Sequence, residues 1–128
     1  MIFGIRGNIN KAELAPIVHR LVKGLDTAGI DYICEKELAG QIRKRFRDRL
    51  KSTLIDDEKE IVKKCDFMIS IGGDGTFLAT AKLVGSRNIP IIGVNLGKLG
   101  FLAETSTREI LGFVKKVVKG EYKVDERT

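Results

Sequence analysis

The chain has 128 residues, 43% hydrophobic and 31% charged, a composition typical of one globular domain that excludes an intrinsically disordered chain. Lysine and arginine outnumber aspartate and glutamate by 23 to 17, and the formal charge of +6 favours an anionic partner, either phosphate-rich small molecules or nucleic acid. Cys34 and Cys65 form no metal-ligand or redox motif, and the sequence has neither a signal peptide nor a membrane-length apolar run, so we expect a soluble, cytoplasmic protein.

Short apolar runs alternate with longer runs of helical spacing in the N-terminal half. They predict a strand, a helix and a second strand, in the order 2–6, 11–28 and 31–34. Pro16 belongs in a first helical turn, which places the start of that helix after Lys11. The region 35–64 is less regular. Its basic stretch, Arg43 to Lys51, fits a helix face or a mobile loop, and the acids that follow, with lysines after them, predict a short helix ending near Lys64.

The C-terminal half continues the alternation. It predicts a strand at 66–71, a helix from Phe77 to Val84, a strand at 89–94, a helix opened by a capping box at Ser106–Glu109 and stopped at Gly120, and a last strand at 122–127. Nearly continuous apolar strands are typical of a sheet covered on both faces. The sequence therefore predicts an α/β fold with a doubly wound, mostly parallel sheet between two helical layers.

The segment Gly72–Thr76 reads Gly-Gly-Asp-Gly-Thr and follows a buried strand, at the edge where open α/β sheets bind ligands. Its glycines permit positive φ angles and close approach of a ligand, and backbone N–H groups at a helix start favour phosphate. Asp74 beside phosphate fits a base acting on a hydroxyl, or a partner of Mg²⁺. The alternative is a structural turn in which Asp74 caps the helix. The pattern is neither a Walker A loop nor the dinucleotide fingerprint.

A second glycine-containing segment, Asn95–Glu104, follows the next strand and is therefore expected at the same edge as Asp74. Lys98 is a candidate phosphate ligand, and Phe101 offers an apolar face to a base. The spacing alone fits equally well a loop that is closed by a packed Phe101.

Taken together, Gly72–Thr76 and Asn95–Leu102 (Asn-Leu-Gly-Lys-Leu-Gly-Phe-Leu) resemble the NAD kinases. Diacylglycerol kinases, sphingosine kinases and phosphofructokinases share the first motif, whereas the second separates the NAD kinases from them. The last residues also resemble the family's step from its first domain to its second. The resemblance implies a nucleotide-binding domain over residues 1–120 and, over 121–128, the start of a connection to a β-rich domain absent from this chain.

The resemblance implies transfer of the terminal phosphoryl group of ATP, or of polyphosphate, to the adenosine ribose 2′-hydroxyl of NAD, giving NADP. Asp74 would be the catalytic base, and Phe101 would line the adenine or nicotinamide side of the pocket. Mg²⁺ would bridge the phosphates, with no residue assigned as its ligand. We expect the intact enzyme to be a homo-oligomer and this chain alone to be inactive or nearly so. The implied cofactor-binding residues are Gly72, Gly73, Asp74, Gly75, Thr76, Asn95 and Phe101.

Two other functions fit parts of the sequence. A lipid or sugar kinase of the same superfamily accounts for Gly72–Thr76 but not for Asn95–Leu102. A non-catalytic nucleotide- or RNA-binding module would use the basic stretch, which is otherwise a solvated face, but Phe46 is its only interleaved aromatic residue. His19 has no acid or nucleophile at a useful spacing, so we expect it to be an ordinary helix residue.

Overall fold

A computed structural model describes residues 1–12, 14–46, 55–56, 58–95 and 103–120. For 55–56 and 103–107 it describes the backbone only. The helices and strands occur in the order β1 (Ile2–Gly7), α1 (Leu14–Ala28), β2 (Asp31–Glu35), α2 (Lys36–Phe46), β3 (Ile55–Asp56), α3 (Glu58–Lys64), β4 (Phe67–Gly72), α4 (Asp74–Val84), β5 (Ile91–Asn95) and α5 (Ala103–Val118). Within these ranges, no helix is long and apolar enough to cross a membrane.

The five strands form one sheet in the order β3-β2-β1-β4-β5, and every neighbouring pair is parallel. β1 lies at the centre, where Gly4 is opposite Ile33 on one side and Met68 on the other. The predicted doubly wound α/β sheet is confirmed.

Helices cover both faces of the sheet. One core cluster joins β1, β2 and β4 to α1, α2 and α5, through residues such as Phe3, Leu21 and Val114. The other joins the opposite face to α3 and α4, through residues such as Ile33, Ile61 and Val84. The alternation of side chains along each strand sends successive residues to opposite clusters, which explains why the strands are mostly apolar on both faces.

The start of α1 agrees with the position of Pro16. The helix begins at Leu14, so Pro16 lies in its first turn, where its missing N–H breaks no helical hydrogen bond. The apolar spacing of the helix is reproduced in its buried face, which includes Leu14, Val18 and Leu25.

Two predicted helix starts are wrong. α4 begins at Asp74 rather than at Phe77, so part of the predicted loop is helical. α5 begins at Ala103, which places Ser106 inside the helix and excludes the predicted capping box. Local spacing left both starts ambiguous, because glycine, serine and threonine suit a cap, a loop or a first turn.

The irregular region between β2 and α3 contains elements that the sequence did not define. α2 runs to Phe46 and carries Arg43, Lys44 and Arg45 in its last turn, where cations interact favourably with the negative end of the helix. The first part of the basic stretch is therefore helical, while its remainder lies outside the described residues. β3 is a two-residue strand. The strand predicted at 122–127 also lies outside the described residues.

Candidate functional site

The sheet reverses its winding direction between β1 and β4, since β2 continues from β1 on one side and β5 from β4 on the other. In open α/β sheets, ligands bind at the carboxyl ends of the strands that flank such a point. A cleft of about 420 Å³ lies there in this protein. The residues that line it are Arg6, Gly7, Asn8, Ile9, Glu35, Glu37, Glu58, Gly75, Thr76 and Ala79.

The end of β1 forms one wall of the cleft. The Asn8 N–H donates to the Ile71 carbonyl at 3.1 Å, which joins this wall to the end of β4. A Cβ atom on Gly7 would lie 2.7 Å from the Ile71 carbonyl oxygen. Gly7 is therefore required by the close approach of the two strands. No sequence pattern predicted this wall.

The first turn of α4 forms the opposite wall. Gly73 is the N-cap, in an extended conformation, and no side chain of the described residues caps the helix. The Phe77 N–H donates to the Gly73 carbonyl at 3.1 Å, which is the first hydrogen bond of the helix. The three preceding N–H groups, on Asp74, Gly75 and Thr76, have no partner within a helix and point from its positive end. Such a helix start favours a bound anion.

None of the glycines of Gly72–Thr76 has an unusual backbone angle, and only Gly72 serves close approach. Among the described glycines, positive φ occurs only at Gly29, Gly85 and Gly120, so Gly72–Thr76 does not use the positive φ that its glycines permit. The physical reason is that α4 begins within the segment, and helical residues have negative φ. A Cβ on Gly72 would lie 2.8 Å from the Thr76 Cβ, whereas a Cβ on Gly73 or Gly75 would meet nothing within 4 Å.

Asp74 is exposed at the first position of α4. It does not act as the helix cap, because Gly73 occupies the N-cap position and no described side chain accepts a hydrogen bond from the first-turn N–H groups there. The alternative of a capping aspartate is therefore excluded. Asp74 is not among the residues that line the cleft, but its neighbour Gly75 is, so the carboxylate stands beside the cleft rather than within it.

The second sequence segment reaches the same edge of the sheet at its first residue. Asn95 is opposite Gly72 in the register of β4 and β5, and it is half-buried. This confirms the expected shared edge for Asn95. Lys98 and Phe101, which the sequence also suggested as ligand contacts, lie outside the described residues.

An arginine that sequence reasoning missed lies on the cleft floor. The Arg6 Nε donates to the Glu35 carboxylate at 3.3 Å, and its Nη2 donates to Glu58 at 2.9 Å. Its Nη1 donates to the Thr80 hydroxyl at 2.8 Å. The available signal was a charged residue at the end of an otherwise apolar strand. Its partners could not be read from the sequence, because they lie 29, 52 and 74 residues away.

The lining of the cleft is acidic overall, since Glu35, Glu37 and Glu58 accompany a single arginine among its described residues. Burial raises the pKa of the Glu35 carboxyl above its usual range, and the neighbouring Arg6 opposes that rise. Binding of phosphate at this cleft would therefore depend on the backbone N–H groups of α4 more than on basic side chains.

The described residues offer no dedicated metal cage. They contain no group of three or more histidine, cysteine, aspartate or glutamate side chains able to hold a metal. Mg²⁺ typically uses one or two carboxylates together with substrate phosphates and water. The exposed carboxylate of Asp74, at the start of α4, would supply one such ligand beside bound phosphates.

Comparison with known proteins identifies the family. The model of the ATP-NAD kinase N-terminal domain matches residues 3–122. The chain belongs to the NAD kinase family. The NAD kinase of Cytophaga hutchinsonii is 38% identical over 136 aligned residues, covering 100% of this chain and 44% of that protein. The NAD kinase of Chlorobium luteolum is 38% identical over 128 residues, covering 100% of this chain and 41% of that protein.

A solved structure supports the same NAD kinase fold. Yeast NADH kinase, complexed with NADH, superimposes with a TM-score of 0.73 at 21% identity, covering 94% of this chain and 38% of the yeast chain. The chain thus spans about two fifths of the NAD kinases that it matches. Family membership confirms the resemblance to the NAD kinases that Gly72–Thr76 and Asn95–Leu102 together indicated.

Proposed function

We propose that this chain is the nucleotide-binding part of an NAD kinase that transfers the terminal phosphoryl group of ATP, or of polyphosphate, to the adenosine ribose 2′-hydroxyl of NAD. The product is NADP. Membership of the NAD kinase family supports the reaction class. The curated relatives are longer than this chain, so the complete activity is proposed for a protein that also contains the remainder of the NAD site.

The observation that carries the proposal is the position of Asp74. Its exposed carboxylate stands at the first residue of α4, between two glycines whose missing side chains leave open space. A carboxylate next to a phosphate site is electrostatically costly unless it acts on a proton or on a cation. A base for an acceptor hydroxyl is therefore the role that best accounts for an acid in this place.

The residues of the α4 turn have distinct roles in the proposed reaction. The N–H groups at Asp74, Gly75 and Thr76 bind phosphate oxygens, helped by the helix dipole. Asp74 orients the 2′-hydroxyl and accepts its proton as the phosphoryl group is transferred, a contribution of ~10²–10⁴-fold in rate. A divalent ion bound with the phosphates supplies charge neutralisation when present. Asn95 lies beside this turn, where it would contact the NAD.

The test of the proposal is Asp74→Asn, which keeps the size of the side chain and removes its basicity. Because this chain spans 44% of the Cytophaga hutchinsonii NAD kinase, residues 1–128 would replace the matching segment of that enzyme. We expect NADP formation to fall at least about 100-fold while NAD binding is retained, measured by a coupled NADP assay and by calorimetry.

Asp31→Asn is the matched control, because Asp31 is an exposed aspartate at the amino end of β2, on the opposite edge of the sheet. It should leave turnover unchanged. Full turnover in the Asp74→Asn chimera would contradict the role of Asp74. A folded chimera that phosphorylates diacylglycerol but not NAD would favour the lipid kinase alternative. Robust NADP formation by the 128 residues alone would contradict the expectation that they are inactive.

A further inference from the structure

Two buried polar residues, Ser70 and Thr80, lie in the described core next to Arg6. Thr80 is hydrogen-bonded to Arg6, and Ser70 is hydrogen-bonded to Thr80. Ser70 is 2% exposed and lies opposite Arg6 in the register of β4 and β1. Thr80 is fully buried on α4. Buried hydroxyl groups are costly unless every hydrogen bond is made, so a linked pair of them indicates a specific local arrangement.

The Thr80 hydroxyl makes all of its hydrogen bonds within this network. It donates to the Thr76 carbonyl at 2.9 Å, which uses its only proton. It accepts from Arg6 Nη1 at 2.8 Å. The Ser70 hydroxyl lies 2.9 Å away and must then be the donor of that contact. Arg6 is thereby connected, through one side chain, to the backbone of a residue in the first turn of α4.

The guanidinium is itself held on two further sides. Its Nε and Nη2 groups donate to Glu35, at the end of β2, and to Glu58, at the start of α3. Three of its five N–H donors are therefore bonded to three different elements. With its side chain only 14% exposed and flanked by two carboxylates, Arg6 is better placed to brace the cleft than to neutralise a ligand.

We propose that Arg6 is a positioning residue that acts through Thr80 to hold the first turn of α4, and with it the Thr76 N–H and the Asp74 carboxylate, in place against β4. The consequence for phosphate binding rests on the proposed function. Only the planar fork of arginine reaches β2, α3 and α4 at once, so lysine does not replace it.

Hydrogen exchange of the 128-residue chain tests the proposal without any ligand. The readout is the exchange rate of the Phe77 N–H, which makes the first hydrogen bond of α4, relative to that of Leu21 in the middle of α1. We expect Arg6→Gln, Arg6→Lys and Thr80→Val each to speed exchange at Phe77 at least about 10-fold more than at Leu21. Equal acceleration at both amides would mean that the network only stabilises the fold, and would overturn the proposal.

Inorganic tripolyphosphate tests the functional consequence. We expect Arg6→Gln and Thr80→Val each to weaken its binding about 5- to 10-fold, with the double variant no weaker than either single variant, because both break one connection. Thr80→Ser keeps the hydroxyl and should bind normally. Arg87→Gln removes one positive charge from an exposed site in the turn after α4 and is the control for net charge.

The outcomes separate this proposal from the proposed function. Loss of binding in Arg6→Gln with normal binding in Thr80→Val would mean that Arg6 contacts the phosphate directly, and would overturn the proposal. If the unsubstituted chain fails to bind tripolyphosphate, the proposed phosphate site is wrong, while the exchange ratio still decides the role of Arg6. Should Arg6→Gln fail to fold because Glu35 is left unpaired, Arg6→Gln with Glu35→Gln removes both charges and gives the same readouts.

Discussion

The three glycines at the start of α4 differ in what surrounds them. Gly72 is buried against the Thr76 side chain, so its missing Cβ makes room for a residue of the same protein. Gly75 is exposed, with nothing near the position of its missing Cβ. The same residue type therefore serves packing at one position and leaves space for a ligand at the other.

Alanine substitutions should separate these two roles. Gly72→Ala would place its methyl group 2.8 Å from the Thr76 Cβ, and we expect the free energy of unfolding to fall by about 1–3 kcal/mol as the first turn shifts. Gly75→Ala should keep or raise stability by up to about 1 kcal/mol, because alanine favours the helix, while weakening tripolyphosphate binding. Urea unfolding and calorimetry measure the two effects. Unchanged tripolyphosphate binding in Gly75→Ala would show that no ligand uses this space.

Residues of the candidate site were predictable to different degrees. Asp74 and Asn95 follow apolar strands, so parallel pairing alone brings them to one edge. Arg6 was not predictable as a brace, because Glu35, Glu58 and Thr80 come together only through the order of the strands. A lone charge at a strand end gives no information about which distant residues compensate it.

At the level of elements, α3 and the residue that follows it pack closely on the central strand. A Cβ on Gly4 would lie 2.6 Å from both the Ile61 and Met68 side chains and 3.2 Å from the Cys65 Sγ. The short α3 has seven residues and is too short to be stable alone, so it depends on packing against the sheet, to which the contact of Ile61 with β1 contributes.

Gly4→Ala and Gly40→Ala compare a glycine that is packed against α3 with one that is exposed on α2. Gly4→Ala should lower the free energy of unfolding by about 1–3 kcal/mol, since the added methyl overpacks three buried side chains. Gly40 is exposed inside α2 with nothing within 4 Å of its missing Cβ, so Gly40→Ala should raise stability by about 0.5–1 kcal/mol. Both are measured by urea unfolding. Equal changes in the two variants would contradict the described packing of α3 on β1.

The elements themselves were predictable where one apolar pattern dominated. β1, α1, β4 and α5 combine a clear period with an identifiable end, and each exists close to its predicted position. α2 was missed because its charged residues obscure a buried face of only three residues, Leu38, Ala39 and Ile42. The bounds of α4 and α5 depended on which glycine or serine begins the helix, which tertiary contacts decide.

For the molecule as a whole, the reactivity of the two thiols shows whether the core is folded. Cys34 is fully buried and Cys65 is 8% exposed, and desolvation raises their pKa values to about 12 and about 11. The ordinary thiol value is 9.0, so any stability linked to these groups is complete below that pH and falls as the pH rises toward the raised values.

Native thiols should therefore resist labelling. At pH 8 we expect no rapid reaction of either cysteine with a disulfide reagent such as dithionitrobenzoate, and full reaction of both in urea, because the thiolate forms only when the core opens. Mass spectrometry after timed labelling assigns each site. Immediate stoichiometric labelling of Cys34 without denaturant would contradict its place in the core.

The placement of the first strand at the centre of the sheet governs the order of assembly. The Ile2 N–H donates to the Asp66 carboxylate, a partner 64 residues along the chain, while β2 follows much sooner. β4, the second neighbour of β1 in the sheet, is translated only after α1, β2, α2, β3 and α3 have followed β1. Such non-local pairing slows folding and leaves one edge of β1 without its partner until β4 has been synthesised, and an unpaired strand edge is prone to aggregation.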